Sequence, residues 1–406
     1  MRLVASEDTL APFSESTYDE LLTKHPPCPT DRRQFPAPQN ITPLPVSVDE
    51  LRQIVERFPA GSAPGVSGLR PQHLRELAAK TLGNEANRML QALCKLVNLM
   101  LASSPPAAVA PLLYGAKLVA FRKKTGGLRP IAVGETLRRV AAKAAAAAAL
   151  QLGVGVPGGI EAAIHSAAVS LQEAQSDTVM VKLDFANAFN SIRRDSVAEA
   201  IMEHTPGLLP YFTAAYQAPS MLKFEQFFIE SAEGLQQGDP LAPLFFCLTL
   251  HHPSTRLKSA VKLGYLDDFS LIGNREAVLS DVKRFRDDCS SFGLQLNSSK
   301  CEIVGTSNTS PFEEALPGIR RVDRESVELL GAALGTGGMR RRLDDLHDNL
   351  CAMKQRLDKL DTHCALYSLF FYAPFFIPAP YNAYFYRTRE VTAAGRYGAE
   401  HFGVNH

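Results

Sequence analysis

Apolar and polar positions change period several times along the chain, and each change marks an element. Ser47-Val-Asp-Glu50 is a capping box ahead of Leu51, Ile54, Val55 and Phe58, so a helix starts there and stops at Pro59. Helical patterns run through roughly residues 72–101, whereas 118–121 and 129–133 read as short strands joined by a turn at Gly126 and Gly127, a basic hairpin. Residues 141–149, all alanine but for Lys143, have high helix propensity and read as a packed helix. From residue 176 the expected order is a strand ending at Asp184, helices over about 191–204 and 239–250, a hairpin at 261–272, a helix at 275–292 and a strand near 294–305. That succession is β-α-β-β-α-β-like. Its clearest helix puts Val278, Leu279, Val282, Phe285, Cys289 and Phe292 on one face, with Asn274 to cap its start and Gly293 its end, and is expected to pack under the sheet.

The two ends are patterned differently. Residues 1–46 are rich in Pro, Ser and charge with little periodicity beyond a short amphipathic piece at residues 18–22, and read as a flexible arm. Towards the other end, Met339, Leu343, Leu346, Leu350, Met353, Leu357 and Leu360 recur at steps of four and three. Such a stripe suits a helix buried in its own bundle or a coiled-coil dimer, and the oligomeric state stays open. Residues 369–386 are apolar but interrupted by Pro374, Pro378, Pro380 and Asn382, which argues against a membrane span.

At 406 residues and 46% apolar content, two or three lobes with a sizeable core are expected. Seven cysteines without C-x-x-C spacing argue against a zinc finger and a disulfide framework. No basic start leads into an apolar run at the N-terminus, so an intracellular location is expected, nuclear if the host is eukaryotic. The net charge of +1 hides a local excess: Lys117, Arg122, Lys123, Lys124, Arg129, Arg138, Arg139 and Lys143 face Glu135 alone over residues 117–143, which suits a polyanion.

Candidate chemistry centres on Asp267 and Asp268, adjacent at the turn of the 261–272 hairpin, where two like charges repel unless a cation neutralises them. Asp184 adds a third carboxylate at a strand end. Three aspartates from two strand tips are the donor set of a two-magnesium site for nucleotidyl transfer.

In order and spacing, Leu183-Asp-Phe-Ala-Asn-Ala-Phe189, Gly234-Leu-Gln-Gln-Gly-Asp-Pro-Leu241, Tyr265-Leu-Asp-Asp268 and Gly293-Leu-Gln-Leu-Asn-Ser-Ser-Lys300 resemble the successive palm motifs of reverse transcriptases, those of non-LTR (LINE-like) retrotransposons most of all. Upstream, Gly61-Ser-Ala-Pro-Gly-Val-Ser-Gly-Leu-Arg-Pro71 and Gly127-Leu-Arg-Pro-Ile-Ala132 are similar to the fingers of that family, and Leu329-Leu-Gly-Ala-Ala-Leu334 to its primer-grip hairpin. The resemblance implies an α+β right-hand polymerase fold: the arm (1–46), fingers (47–175), palm (176–320), and a primer-grip hairpin with partial thumb (321–406). It implies an RNA-directed DNA polymerase that extends a DNA primer on an RNA template with dNTPs and two Mg²⁺ ions, for which Mn²⁺ can substitute.

By the same resemblance, Asp184, Asp267 and Asp268 are the metal-binding and catalytic carboxylates, the backbone carbonyl of Phe185 is a further ligand, and Lys300 is a proton donor to pyrophosphate. Arg129 grips the triphosphate, with Arg122, Lys123 and Lys124 in support; Phe189 blocks a ribose 2′-hydroxyl; Gln237 and Gly238 lie against the incoming base pair. Two alternatives stand beside this reading. An RNA-templated RNA polymerase would favour a small residue in place of Phe189, and a decayed, non-enzymatic remnant would bind RNA and DNA without synthesis.

Overall fold

The structure is a computed structural model that describes residues 9–358, apart from 39, 60, 103, 104, 107, 124, 125, 151–158, 173–176 and 307. Two five-stranded sheets organise it. The first holds β1 (Thr9–Leu10), β2 (Ala116–Arg122), β3 (Leu128–Gly134), β5 (Ser220–Phe224) and β6 (Phe227–Ser231). β2 and β3 form an antiparallel hairpin from Ala116↔Gly134 to Arg122↔Leu128, while the other edge of β2 meets β1 at one end and β5, in parallel, at the other. Strands from residues 220–231 thus complete a sheet begun near residue 116, so the expected boundary at 175/176 does not separate two independent sheets.

The second sheet has the order β10 (Arg320–Val322), β9 (Glu302–Val304), β4 (Thr178–Asp184), β8 (Asp268–Asn274), β7 (Val261–Tyr265). β4 and β8 pair antiparallel along their full length, from Thr178↔Asn274 to Asp184↔Asp268. Beneath them lies the Arg275–Ser291 helix, begun by Asn274, whose side chain accepts from the Glu276 and Ala277 amides. Its Val278, Val282, Phe285 and Cys289 are buried as the 3.6-residue period requires, and the Phe285 ring stacks on Phe269 of β8 at 4.4 Å. This helix also buries Asp281, which accepts hydrogen bonds from the Lys258 and Ser259 amides and the Ser259 hydroxyl, fixing the chain as it enters β7.

Helix Val48–Glu56 carries the expected capping box, with Ser47 and Glu50 exchanging bonds, and Thr136–Leu150 covers the alanine run. The strand expected at 294–305 shrinks to Glu302–Val304 and a single bridge, Phe185↔Leu296. Residues 297–301 instead turn back on themselves, the Cys301 amide donating to the Asn297 carbonyl. The Leu209–Tyr216 helix and the β5–β6 hairpin were not foreseen.

The flexible arm is the main correction. Within residues 9–46, β1 extends the first sheet, and Glu15–Thr23 is a helix capped by Ser14. Phe13 and Tyr18 pack on Phe227, at 5.3 and 4.9 Å between centroids, and Arg33 bonds to Asp195. Aromatic stacking and ion pairing between segments 162 residues or more apart in the chain leave no composition signal, which is why the segment reads as unstructured.

At the far end, β11 (Glu328–Leu329) and β12 (Ala332–Ala333) make the expected hairpin, followed by the Thr336–Leu357 helix. On that helix Met339, Leu343 and Leu350 are each more than half exposed, so these three positions of the stripe are not buried among the described residues. The rest of the expected thumb lies outside the described residues. No helix among the described residues is long and apolar enough to cross a membrane.

Candidate active site

The register of β4 against β8 sets Asp184 directly opposite Asp268. Cross-strand partners share a face, so two carboxylates stand side by side at the end of the sheet. Tyr265↔Asp268 closes the β7–β8 hairpin, leaving Leu266 and Asp267 as a two-residue turn. Leu266 takes a left-handed φ of 57°, a conformation that costs a branched side chain energy and that such tight turns demand. Asp267, in the turn, escapes the alternation of the strand and points into a cleft of about 670 Å³ that Asp184 also lines.

The strand end carrying Asp184 is braced from behind. Its carbonyl accepts from the Asn297 amide at 2.7 Å, the Ala186 amide donates to the Gln295 carbonyl, and the Cys301 thiol, fully buried, contacts the Asp184 amide. Phe185 turns its ring into the core against Phe285, so it reaches the cleft by its backbone. Asn187, left-handed at φ 53°, starts the short Ala188–Ser191 helix, which brings Phe189 to the cleft with one ring face stacked on Phe246 at 4.9 Å.

The Gly-rich loop is threaded between these parts and the first sheet. The Leu235 amide donates to the Phe189 carbonyl at 2.6 Å, and the Ala132 amide of β3 donates to the Gln237 carbonyl at 2.7 Å. Gly238, at φ 124°, lies so close to the Ala132 carbonyl that any side chain would collide with it. Under the loop Arg138 is fully buried: it donates to the Tyr114 carbonyl, to Gln236 and, at 2.7 Å, to Asp239, which also takes the Tyr216 hydroxyl. Arg138 is therefore a structural cation and not a phosphate contact. Arg139 donates to the Ala63 carbonyl, and Lys143 sits 5.1 Å over the Phe58 ring, so the two arginines and the lysine on the Thr136–Leu150 helix tie the fold together.

Lys123 and Arg129, from the β2–β3 hairpin, line the cleft opposite the acids, and Lys300 approaches from the turn after Asn297. The cleft thus gathers Asp184, Asp267, Phe185, Phe189, Gln237, Gly238, Lys123, Arg129 and Lys300. Asp268 stands beside Asp184 without lining it. Arg122 does not reach it, because residues alternate across a strand and Lys123 takes the facing side; Lys124 lies outside the described residues. Lys24, Asn187 and Asn297 also line the cleft. Of these, Asn187 and Asn297 lie within the first and fourth palm motifs, and only Lys24 carried no signal.

Charge couples the two walls. Burial pushes the Asp184 carboxyl above its ordinary value and Asp267 adds to this, while Lys300, Lys123 and Lys182 pull it back. Although Asp268 is exposed overall, partial loss of water pushes its carboxyl up, with Asp267 and Asp184 reinforcing the shift. Lys123 moves the other way: burial first, then Lys300, Arg129 and Lys24, lower its ammonium. Among the described residues no three His, Cys, Asp or Glu side chains are drawn together closely enough to hold an ion as they stand. The donor chemistry nonetheless fits a hard divalent cation: carboxylate oxygens, mutually destabilised, without nitrogen or sulfur ligands.

A sequence profile described as reverse transcriptase (RNA-dependent DNA polymerase) matches residues 121–334, more than half the chain. The chain belongs to that family. The match begins in the β2–β3 hairpin, takes in all three aspartates and ends just past β12, so every cleft-lining residue but Lys24 lies within it. The family implies a polymerase fold of palm, fingers and thumb, and the mixed helices and sheets of this reverse transcriptase domain are consistent with it. No curated protein sequence matches the chain.

Proposed function

We propose that the chain is an RNA-directed DNA polymerase of the non-LTR retroelement type, extending a DNA 3′ end on an RNA template with dNTPs. The observation that carries this is the cleft itself: acids on the palm side and cations on the fingers side, facing each other across about 670 Å³. The subtype rests on the motif resemblance, and with it the fingers (47–175), palm (176–320) and primer-grip assignments and a nuclear location in a eukaryotic host.

Asp184, Asp267 and Asp268 would hold Mg²⁺ (or Mn²⁺), which when bound activates the primer hydroxyl and neutralises phosphate charge. The protein's own groups do the rest. Arg129 and Lys123 hold the triphosphate, the arginine through its planar fork of donors. Lys300, on the exposed turn after Asn297, stabilises charge on the departing pyrophosphate and gives it a proton. Phe189, stacked on Phe246 and so unable to swing aside, occupies the space a 2′-hydroxyl would need. The Gln237–Gly238 backbone, clamped to β3, forms the floor under the incoming base pair.

The test is primer extension on an RNA template with dNTPs and Mg²⁺, comparing the wild type with Asp184→Asn. Incorporation by the wild type alone is expected. Salt-dependent binding of an RNA–DNA hybrid with no incorporation would instead identify the decayed remnant, because phosphate contacts survive the loss of catalysis.

A further inference from the structure

Lys24 belongs to no palm or fingers motif, yet it lines the cleft together with Asp184, Lys123 and Lys300. It follows the last residue of the Glu15–Thr23 helix, and that helix is fastened at two points to the machinery it faces. Glu20 accepts the amide of Leu128 at 2.7 Å, at the start of β3, and Asn187 donates its side-chain amide to the Lys24 carbonyl at 2.8 Å. Lys24 is thus held between the hairpin that carries Arg129 and the turn that follows Asp184. Its ammonium has Glu20 at 3.6 Å, a loose pair, and is about a quarter exposed. Lys24, Lys123 and Lys300 all face one space, and Glu20, which also takes the Leu128 amide, offsets only Lys24. Like charges held together in this way imply an anion.

We infer that Lys24 is a nucleotide-binding residue, and that the segment 14–24 is a built wall of the active site that grips the polyphosphate of the incoming nucleotide. Burial does most to lower the Lys123 ammonium and Lys300, Arg129 and Lys24 add to it, a repulsion that a bound polyphosphate would relieve. A nucleic-acid backbone is the other polyanion at hand. The polyphosphate is favoured because Lys24 shares the cleft with both Asp184 and Asp267, where the reacting phosphorus must lie, whereas a duplex would run past them. The inference rests on the polymerase reading for the identity of the nucleotide, not for the presence of an anion site.

The experiment uses the full chain and three variants: Lys24→Ala, Lys24→Arg and, to separate charge from shape, Lys24→Gln. Three dissociation constants are measured: those of dATP and of inorganic tripolyphosphate by calorimetry, and that of an RNA–DNA hybrid by fluorescence anisotropy. Where the wild type extends primers, KM for dNTP is added. Loss of one charge-assisted contact should weaken dATP and tripolyphosphate about tenfold in Lys24→Ala and Lys24→Gln, with Lys24→Arg near wild type and hybrid affinity unchanged. Unchanged nucleotide and tripolyphosphate affinity overturns the inference, and so does a loss confined to the hybrid, which would assign Lys24 to the backbone. A wild type that never incorporates but loses tripolyphosphate with Lys24→Ala would refute the polymerase reading and leave the anion site standing. Matching thermal melts guard against a folding defect.

Discussion

Replacing Asp239 by alanine tests how the Gly-rich loop is held. The Arg138–Asp239 pair is 2.7 Å long with side-chain exposures of 1% and 0%, so water cannot take the place of either partner. Asp239 also accepts the Tyr216 hydroxyl at 2.7 Å and the Leu241 amide at 3.0 Å. Removing the carboxylate strands a buried guanidinium, which costs about 3–5 kcal/mol, and leaves a buried phenol without its acceptor, about 1 kcal/mol more. Against a total stability on the order of 5–15 kcal/mol, that is enough to bring a chain of this kind near its unfolding threshold. Arg138→Met should cost less, because Asp239 keeps two donors.

The assay is urea unfolding followed by circular dichroism for Asp239→Ala, Asp239→Leu, Arg138→Met and the double variant Arg138→Met/Asp239→Leu. With both charges gone the double variant should be more stable than Asp239→Leu alone, since neither charge is then buried unpaired. A loss under about 1 kcal/mol in Asp239→Ala would refute the reasoning, as would strictly additive single-variant losses.

Two further outcomes are expected. Phe189→Val removes the ring that fills the sugar's side of the cleft and should raise ribonucleotide over deoxynucleotide incorporation by about tenfold or more in single-turnover extension; unchanged sugar selectivity would clear Phe189 of that role. Burial alone would push Asp195 up, but hydrogen bonds from Arg193 and Arg33 outweigh it and hold the carboxyl well below its ordinary range. The folded state therefore binds this proton less readily than the unfolded chain. The stabilisation is complete above the ordinary aspartate pKa of about 4 and is lost progressively as pH falls from there through the lower folded-state value. Amide protection factors over residues 9–38 should fall on acidification and already be low at pH 7 in Asp195→Asn; unchanged protection in both would show that the pair does not dock this segment.

The acids of the site were legible because their signal is local: carboxylates next to strand ends, in a fixed order along the chain. What escaped is set by depth or by distance. Arg138 reads as one more cation in a basic run, and nothing in the sequence says that it points inward to Asp239, 101 residues on. Lys24 reaches the cleft through the contacts of Phe13, Tyr18 and Glu20 with strands far away in the chain. The β5–β6 hairpin turns at Glu225 and Gln226, where a left-handed φ of 51° falls on glutamate instead of glycine or asparagine, so the usual turn signal is missing. Residues 294–305 alternate like a strand, yet Leu294 is buried and Leu296 bridges to Phe185, because this stretch braces Asp184 from behind instead of extending the sheet.

The adjacency of Asp267 and Asp268 also has a geometric meaning that sequence alone does not supply. On a strand, neighbouring residues face opposite ways, so two adjacent carboxylates could not both serve one site from regular β structure. Here the hairpin turn falls between them: Asp268 is the last paired residue, fixed beside Asp184 by the β4–β8 register, and Asp267 belongs to the turn and enters the cleft. The left-handed Leu266 is what lets the turn be two residues long. A longer, relaxed turn would carry Asp267 away from Asp184, and a one-residue slip of β8 would send Asp268 to the other face. Strain on the order of 1–3 kcal/mol at Leu266 is thus tolerated where the seven-pair β4–β8 ladder and the helix beneath it hold the hairpin in place. The position of the third carboxylate is therefore set by the sheet's register and the turn's length together, and neither would suffice without the other.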